Sequence, residues 1–200
     1  MNKRLARRIF ALAVVISWAS LPLPRAREIN SKPAPEDIPA ARMIADPYPA
    51  FNGIAVDATN NVVVTSDPNR KSLLLYDRGH GKSEGTASVP TRQIIGPETY
   101  LGMVAAVVVD PQRHEIYTAN NDIEDTVVVM SYESTGNAKP ARVFSVPHQA
   151  WGLALGRSSE EIAVSVEIQN ALVFYRLEAK GVEAPLRIVR GPNTGLADPH

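Results

Sequence analysis

The chain contains no cysteine, which excludes a disulfide framework, a thiolate nucleophile, a cysteine zinc site, a lipoprotein anchor and CxxCH haem attachment. It also has no charge of one sign in excess, since Lys plus Arg and Asp plus Glu each number 21. No net field therefore draws it toward nucleic acid or an anionic membrane. Aromatic and basic residues do not interleave as a single-strand-binding platform requires. Phosphate and metalloprotease motifs are missing: there is no GxxxxGK[ST], no GxGxxG between strand and helix, and no HExxH. "GHGKSEG" has the wrong spacing for a phosphate loop, and no helical pattern follows it. Sustained helical periodicity is absent between the Val, Ile and Leu runs, which removes the crossover helices that a parallel sheet needs. What is present, 44% apolar and 21% charged residues, suits one folded domain and excludes intrinsic disorder.

The amino terminus reads as an export signal. Lys3, Arg4, Arg7 and Arg8 precede the apolar run Ile9 to Leu23, and Pro-rich polar sequence follows. At about fifteen residues that run is short for a membrane span. Cleavage after Ala19 would leave Ser17 and Ala19 at the small-residue positions. Arg7, Arg8 and Phe10 also fit a twin-arginine signal, with Ala6 in place of the usual Ser or Thr, so both export routes stay open. Residues 1–26 are thus expected to be a signal peptide and residues 27–41 a flexible lead-in. The mature protein is expected in the periplasm or outside the cell, with no stable membrane span after signal removal.

Self-similarity organises the remainder. "ARMIADP", "TRQIIGP", "ARVFSVP" and "LRIVRGP" align on Arg42, Arg92, Arg142 and Arg187, at steps of 50, 50 and 45 residues. A second shared segment follows each of the first three: "GIAVDATNNVVVTSD", "AAVVVDPQRHEIYTAN" and "WGLALGRSSEEIAVSV". A third closes each unit: "SLLLYDR", "DTVVVMSY" and "NALVFYR". The units are 42–91, 92–141 and 142–186, with a partial unit at 187–200. Each holds four short strands rich in Val, Ile, Leu and Tyr, separated by Asp, Asn, Gly and Pro turns. In the second unit the strands are expected near 92–95, 104–109, 115–118 and 126–132. The expected fold is all-β: a β-propeller of four-stranded antiparallel blades, about three blades plus the start of a fourth. Consecutive apolar residues in "AVVVD" and "VVVTSD" suit inner strands buried on both faces. Pro90, Pro140 and Pro185 precede the arginine strand, and Pro97, Pro147 and Pro192 follow it. That bracket marks an outer edge strand, because proline cannot donate to a ladder. The repeated arginine is expected to be structural, its stem packed and its head solvated.

These residues resemble the NHL and YVTN-type propeller repeats of exported bacterial proteins. Gly136, Asn137, Pro140 and Arg142 match the first part of the repeat pattern. Gly53 to Asp57 match its middle, and Ile116, Tyr117, Ala119, Asn120, Val127 and Val129 its end. The resemblance covers residues 42–200. It implies a propeller, and it does not choose between binding proteins and enzymes. The chain stops at "GPNTGLADPH", where the pattern would open another inner strand, and about four to eight blades close a ring. The chain is therefore expected to be the amino-terminal part of a longer protein, with a self-assembling partial propeller as the alternative.

In such a fold the second-to-third-strand loops and the interblade loops share one rim. They bring Asp67, Asn69, Asn120, Asn121, Asp122, His148, Trp151, Glu167 and Asn170 into consideration as ligand-binding candidates, beside the aromatic Tyr48, Phe51 and Tyr100. In "NNDIEDT", Asp122, Glu124 and Asp125 could offer oxygen ligands to calcium. The loop lacks the glycine-punctuated spacing of a calcium motif, so a solvated turn is expected, and with it no cofactor. Trp151 is expected to pack at the inner mouth of the ring, with a binding platform as the alternative. His80 falls in a polar Gly-rich loop, His114 in a tight turn on the opposite rim, and His200 at the end of the chain. No histidine shows a metal-pair spacing, and no nucleophile elbow or other catalytic residue is identified. The expected function is non-catalytic binding of a protein, peptide or glycan, without nucleic acid. The alternative is a lactonase-like hydrolase in which a divalent ion held by Asn, Asp and Glu polarises an ester carbonyl.

Overall fold

Apolar runs such as Leu73-Leu74-Leu75 and Val127-Val128-Val129 send successive side chains to opposite faces of a strand, so they stay dry only where both faces are covered. The computed structural model describes residues 40, 42–79 and 88–200, and it meets that demand with three four-stranded antiparallel sheets packed face to face. The expected export signal, nearly all of the lead-in and His80 lie outside the described residues.

The first sheet holds β1 (Ile54–Asp57), β2 (Val62–Asp67), β3 (Ser72–Asp77) and β4 (Arg92–Ile95). The second holds β5 (Met103–Asp110), β6 (Glu115–Asn121), β7 (Thr126–Ser131) and β8 (Arg142–Ser145). The third holds β9 (Ala150–Gly156), β10 (Glu161–Val166), β11 (Ala171–Arg176) and β12 (Arg187–Arg190). Each sheet is ordered as the chain runs. The architecture is all-β and propeller-like, and the three sheets do not close a ring among the described residues. No helix of the described residues is long and apolar enough to cross a membrane.

Sheet and sequence unit are out of phase. Each arginine strand pairs with the third strand before it, as in Leu75↔Arg92 and Val129↔Arg142, and so completes the preceding sheet as its outer strand. The proline bracket marks that edge correctly, and a further device covers it. Gly136 exchanges hydrogen bonds with β4, accepting from Ile95 N (2.9 Å) and donating to Gln93 O (2.7 Å). Gly181 repeats the exchange with Ser145 (2.8 Å) and Val143 (2.8 Å) of β8. Both glycines have positive φ, 57° and 62°, a conformation costly for other residues. The Arg42 phrase forms none of the twelve strands. Its Ala45 instead accepts from Ser88 N at 2.7 Å and its Ile44 packs on Val63, Leu74 and Tyr76.

The core lies between the sheets. Ile116, Val128 and Met130 face the first sheet and pack with Val64, Leu73, Leu75 and Val104. Tyr117, Val127 and Val129, one residue out of step, face the third sheet and pack with Ile162, Val164 and Val173. Each such side chain contributes about 1.5–3 kcal/mol when fully buried. Close approach needs a small residue at Gly53, where a Cβ would lie 2.9 Å from the Val107 backbone nitrogen of the next sheet.

Polar pairs tie the sheets at the opposite end from the candidate rim. Asp57 accepts from the backbone of Thr59 (2.8 Å) and Asn60 (3.0 Å) in its own turn, and from the Tyr132 hydroxyl of the second sheet (2.9 Å). Burial and the Asp57 carboxylate push that hydroxyl above its ordinary pKa. His114 occupies the matching turn of the second sheet with φ 54°, and its ring lies 5.7 Å from that of Tyr132.

In the second and third sheets the repeated arginine is structural, and its head pairs with a glutamate rather than standing free in solvent. Arg142 donates to both Glu115 oxygens (2.6 and 2.8 Å) and to Leu177 O of the third sheet (3.1 Å). The two side chains are 16% and 14% exposed. Arg187 makes the same bidentate pair with Glu161 while lying over the Phe174 ring. Burial pushes the Glu115 carboxyl up, but hydrogen bonds from Arg142 and Tyr117 outweigh it and hold the pKa below its ordinary value. A carboxyl held down by the fold adds stability above its unfolded pKa and loses it as pH falls through the folded one. Arg142→Ala is thus expected to cost about 3 kcal/mol at neutral pH in urea melts. The gap to wild type should narrow below about pH 4 as Glu115 protonates; a gap unchanged at pH 3 would contradict the pairing. Gly53→Ala should cost about 1–3 kcal/mol through overpacking against Val107, measured in the same melts.

Candidate functional site

Strand alternation places the β2–β3, β6–β7 and β10–β11 loops at the same end as the interblade connections β4–β5 and β8–β9. The residue before each third strand is left-handed: Lys71, Asp125 and Asn170, with φ of 48°, 47° and 45°. From that position each reaches the loop on its neighbouring side. Lys71 Nζ lies 3.7 Å from Glu124, and Asp125 lies 3.0 Å from His148 Nδ1. Asn170 Oδ1 accepts from Asp198 N at 2.7 Å.

The nine candidates fall into three sets, with His148 apart from them beside Asp125. Asp67 is buried, accepting from Arg70 N (2.9 Å) and pairing with the Arg70 guanidinium, which also holds Asp46. Asn120 is buried too and clasps the β4–β5 connection, accepting from Gly102 N (3.0 Å) and donating to Tyr100 O (2.8 Å) and Thr126 Oγ1 (3.0 Å). Asn121 is buried beside it. These three residues build the rim and do not face solvent. Asn69 and Asp122 are exposed at separate loop tips. The acidic loop does not gather its carboxylates, since Glu124 turns to Lys71 and Asp125 to His148.

Trp151, Glu167 and Asn170 do come together. The Trp151 indole N–H donates to Glu167 Oε2, and the end of the chain joins them. Its "GPNTGLA" turn repeats "GPETYLG" bond for bond: Thr99 N and Oγ1 donate to Gly96 O (3.1 and 2.6 Å), and Thr194 N and Oγ1 donate to Gly191 O (3.1 and 2.7 Å). Tyr100 and Gly195 take the same left-handed position, with φ of 58° and 70°. The turn delivers Asp198 and His200 to Glu167, and the His200 ring meets Trp151 edge-on at 5.6 Å. Ligand atoms of Glu167, Asp198 and His200 all lie within 4.8 Å of one another, the one such group among the described residues.

Reading the residues singly misses Asp198 and His200. The alignment of "GPNTGLA" with "GPETYLG" was the available signal, because it assigns whatever follows Gly191 to the interblade position. Ile123 and Ile168, apolar residues at the loop tips, were also missed, hidden within polar turn sequence.

In fold, the chain is similar to Kuenenia stuttgartiensis hydrazine synthase, with a TM-score of 0.55 and 14% identity over 78% of this chain and 39% of that one. The chain thus spans about two fifths of that structure's length. No family model and no curated protein matches the sequence. The likeness concerns the fold alone, and at this identity it does not extend to site residues.

Asn120→Ala strands a buried backbone donor and acceptor at the root of the rim. It should lower stability by about 1–3 kcal/mol in thermal or urea melts, whereas Asp122→Ala, at an exposed tip, should stay within about 0.5 kcal/mol of wild type.

Proposed function

We propose that this chain is part of an exported propeller of the NHL/YVTN repeat type that works by binding, presenting the rim formed by its β2–β3, β6–β7, β10–β11 and interblade loops to a protein, peptide or glycan. The observation that carries this reading is the set of apolar and aromatic side chains standing in solvent on those loops: Tyr48 (74% exposed), Tyr100 (62%), Ile123 (84%) and Ile168 (63%). Standing on loops that share one end of the sheets, they offer apolar contact area to a partner spanning several loops, and tyrosine supplies such area at low cost in conformational entropy.

The rim is also preorganised. Asn120, Asp67 and Thr99 hold the loop backbones through the hydrogen bonds described above, so a ligand would meet loops that need little further ordering. The resemblance of "GNAKPARVF" and "GIAVD" to exported repeat proteins supports the location, as does the amino-terminal basic and apolar sequence. The alternative, a metal-dependent lactonase-like hydrolase, gains nothing from the acidic loop between β6 and β7, which spreads its carboxylates toward different neighbours.

The test is a peptide and glycan array probed with purified protein, followed by affinity measurement on the best binder. Tyr100→Ala and Ile168→Ser are expected to weaken that affinity about tenfold or more. Arg157→Ala, in the β9–β10 turn on the opposite rim, should leave it unchanged. Turnover of lactones or esters by the wild-type protein, or rim variants that bind as well as wild type, would overturn the reading.

A further inference from the structure

We propose that Glu167, Asp198 and His200 form a site for a divalent cation of the Zn²⁺ or Co²⁺ class, open on its solvent side. This goes beyond the binding role above and does not depend on it.

Three observations converge. The first is the donor set: two carboxylates and an imidazole, with ligand atoms mutually within 4.8 Å. Zinc ligands lie about 2.0–2.2 Å from the ion, so small torsions of the exposed Asp198 and His200 side chains suffice to close on one. An imidazole beside carboxylates favours borderline first-row ions over calcium, which takes six to eight oxygens.

The second is charge. Neither Glu167 nor Asp198 pairs with a lysine or arginine among the described residues, and His200, 3.5 Å from Asp198, is the only basic partner. Two other carboxylates on this rim are paired with cations, Asp67 with Arg70 and Glu124 with Lys71, whereas Asp122 stands alone at an exposed tip. The uncompensated pair lies where a cation would relieve it.

The third is outer support. Metal-binding carboxylates are themselves hydrogen-bonded by a neighbouring shell that orients them. Here the Trp151 indole N–H fixes one Glu167 oxygen and leaves the other available. Asn170 anchors the Asp198 backbone at 2.7 Å, and the Trp151 ring stands nearly perpendicular to that of His200. Three protein ligands leave a further coordination position for water or for an oxygen of a rim-bound molecule.

The experiment uses the purified protein. Zn²⁺ titration by calorimetry should show one saturable site. Co²⁺ at the same site should produce visible d–d absorption and quench the fluorescence of Trp151. His200→Ala and Glu167→Gln are expected to abolish binding while melting like wild type; Gln at 167 can still accept the Trp151 hydrogen bond. Trp151→Phe should lose the fluorescence response and weaken Zn²⁺ binding about tenfold, which separates the reporter from the ligands. No saturable Zn²⁺ binding would overturn the proposal. So would binding that survives both His200→Ala and Glu167→Gln, or Ca²⁺ displacing Zn²⁺ at equal concentration. Array binding at the rim would stand in any of these cases, so the two readings fail separately.

Discussion

Burial of the second and third strands on both faces is the constraint from which the rest of the molecule follows. One antiparallel sheet covering another satisfies half of it. Leu73, Leu74 and Leu75, or Val127, Val128 and Val129, are dry because a neighbour stands on each side. The sheets must therefore stack, and stacking in one sense brings equivalent loops to the same end. Gly53 yields its side chain to the next sheet's backbone, and Gly136 and Gly181 close the free edges of the outer strands. Each local device serves the face-to-face contact.

Polar residues follow the same division. Those that hold the assembly are buried and paired: Asp57 with Tyr132, Glu115 with Arg142, Asn120 with its two neighbouring loops. Their carboxyl and hydroxyl pKa values are displaced because burial and a specific partner act on them together, which marks structural ion pairs as readily as catalytic sites. The residues free to meet a ligand lie at loop tips, where backbone turns are satisfied locally and side chains are not needed for packing. Trp151 stands between the two groups, half-buried near the start of β9 with its N–H directed to Glu167.

Much of the fold was legible because the repeat is short and its periodicity strong. The strand at Arg92 to Ile95 matches expectation to the residue, and those near 104–109, 115–118 and 126–132 shift by one to three residues at their ends. The grouping of strands was not legible. Sequence alignment finds a period but has no origin, so the arginine strand could equally open a unit or close one; the hydrogen bonds of Leu75 and Val129 assign it to the sheet before. Nor could the sequence decide the fate of the arginine head. Glu115 and Glu161 begin the second strand, 27 and 26 residues before their partners, and only the register across three strands makes them meet.

At the rim the same limit applies more strongly. Residue type alone cannot tell a buried Asn120, spent on holding a backbone, from an exposed Asn69 in a similar turn. The amino-acid order by itself determined that the chain makes repeated, short, antiparallel modules, since consecutive apolar residues, proline brackets and turn residues act through neighbours along the chain. The tertiary structure decided which module owns each edge strand, which carboxylates are neutralised, and that Glu167, Asp198 and His200 share one corner. Those outcomes depend on distances between residues remote in sequence, and only the packed sheets set such distances.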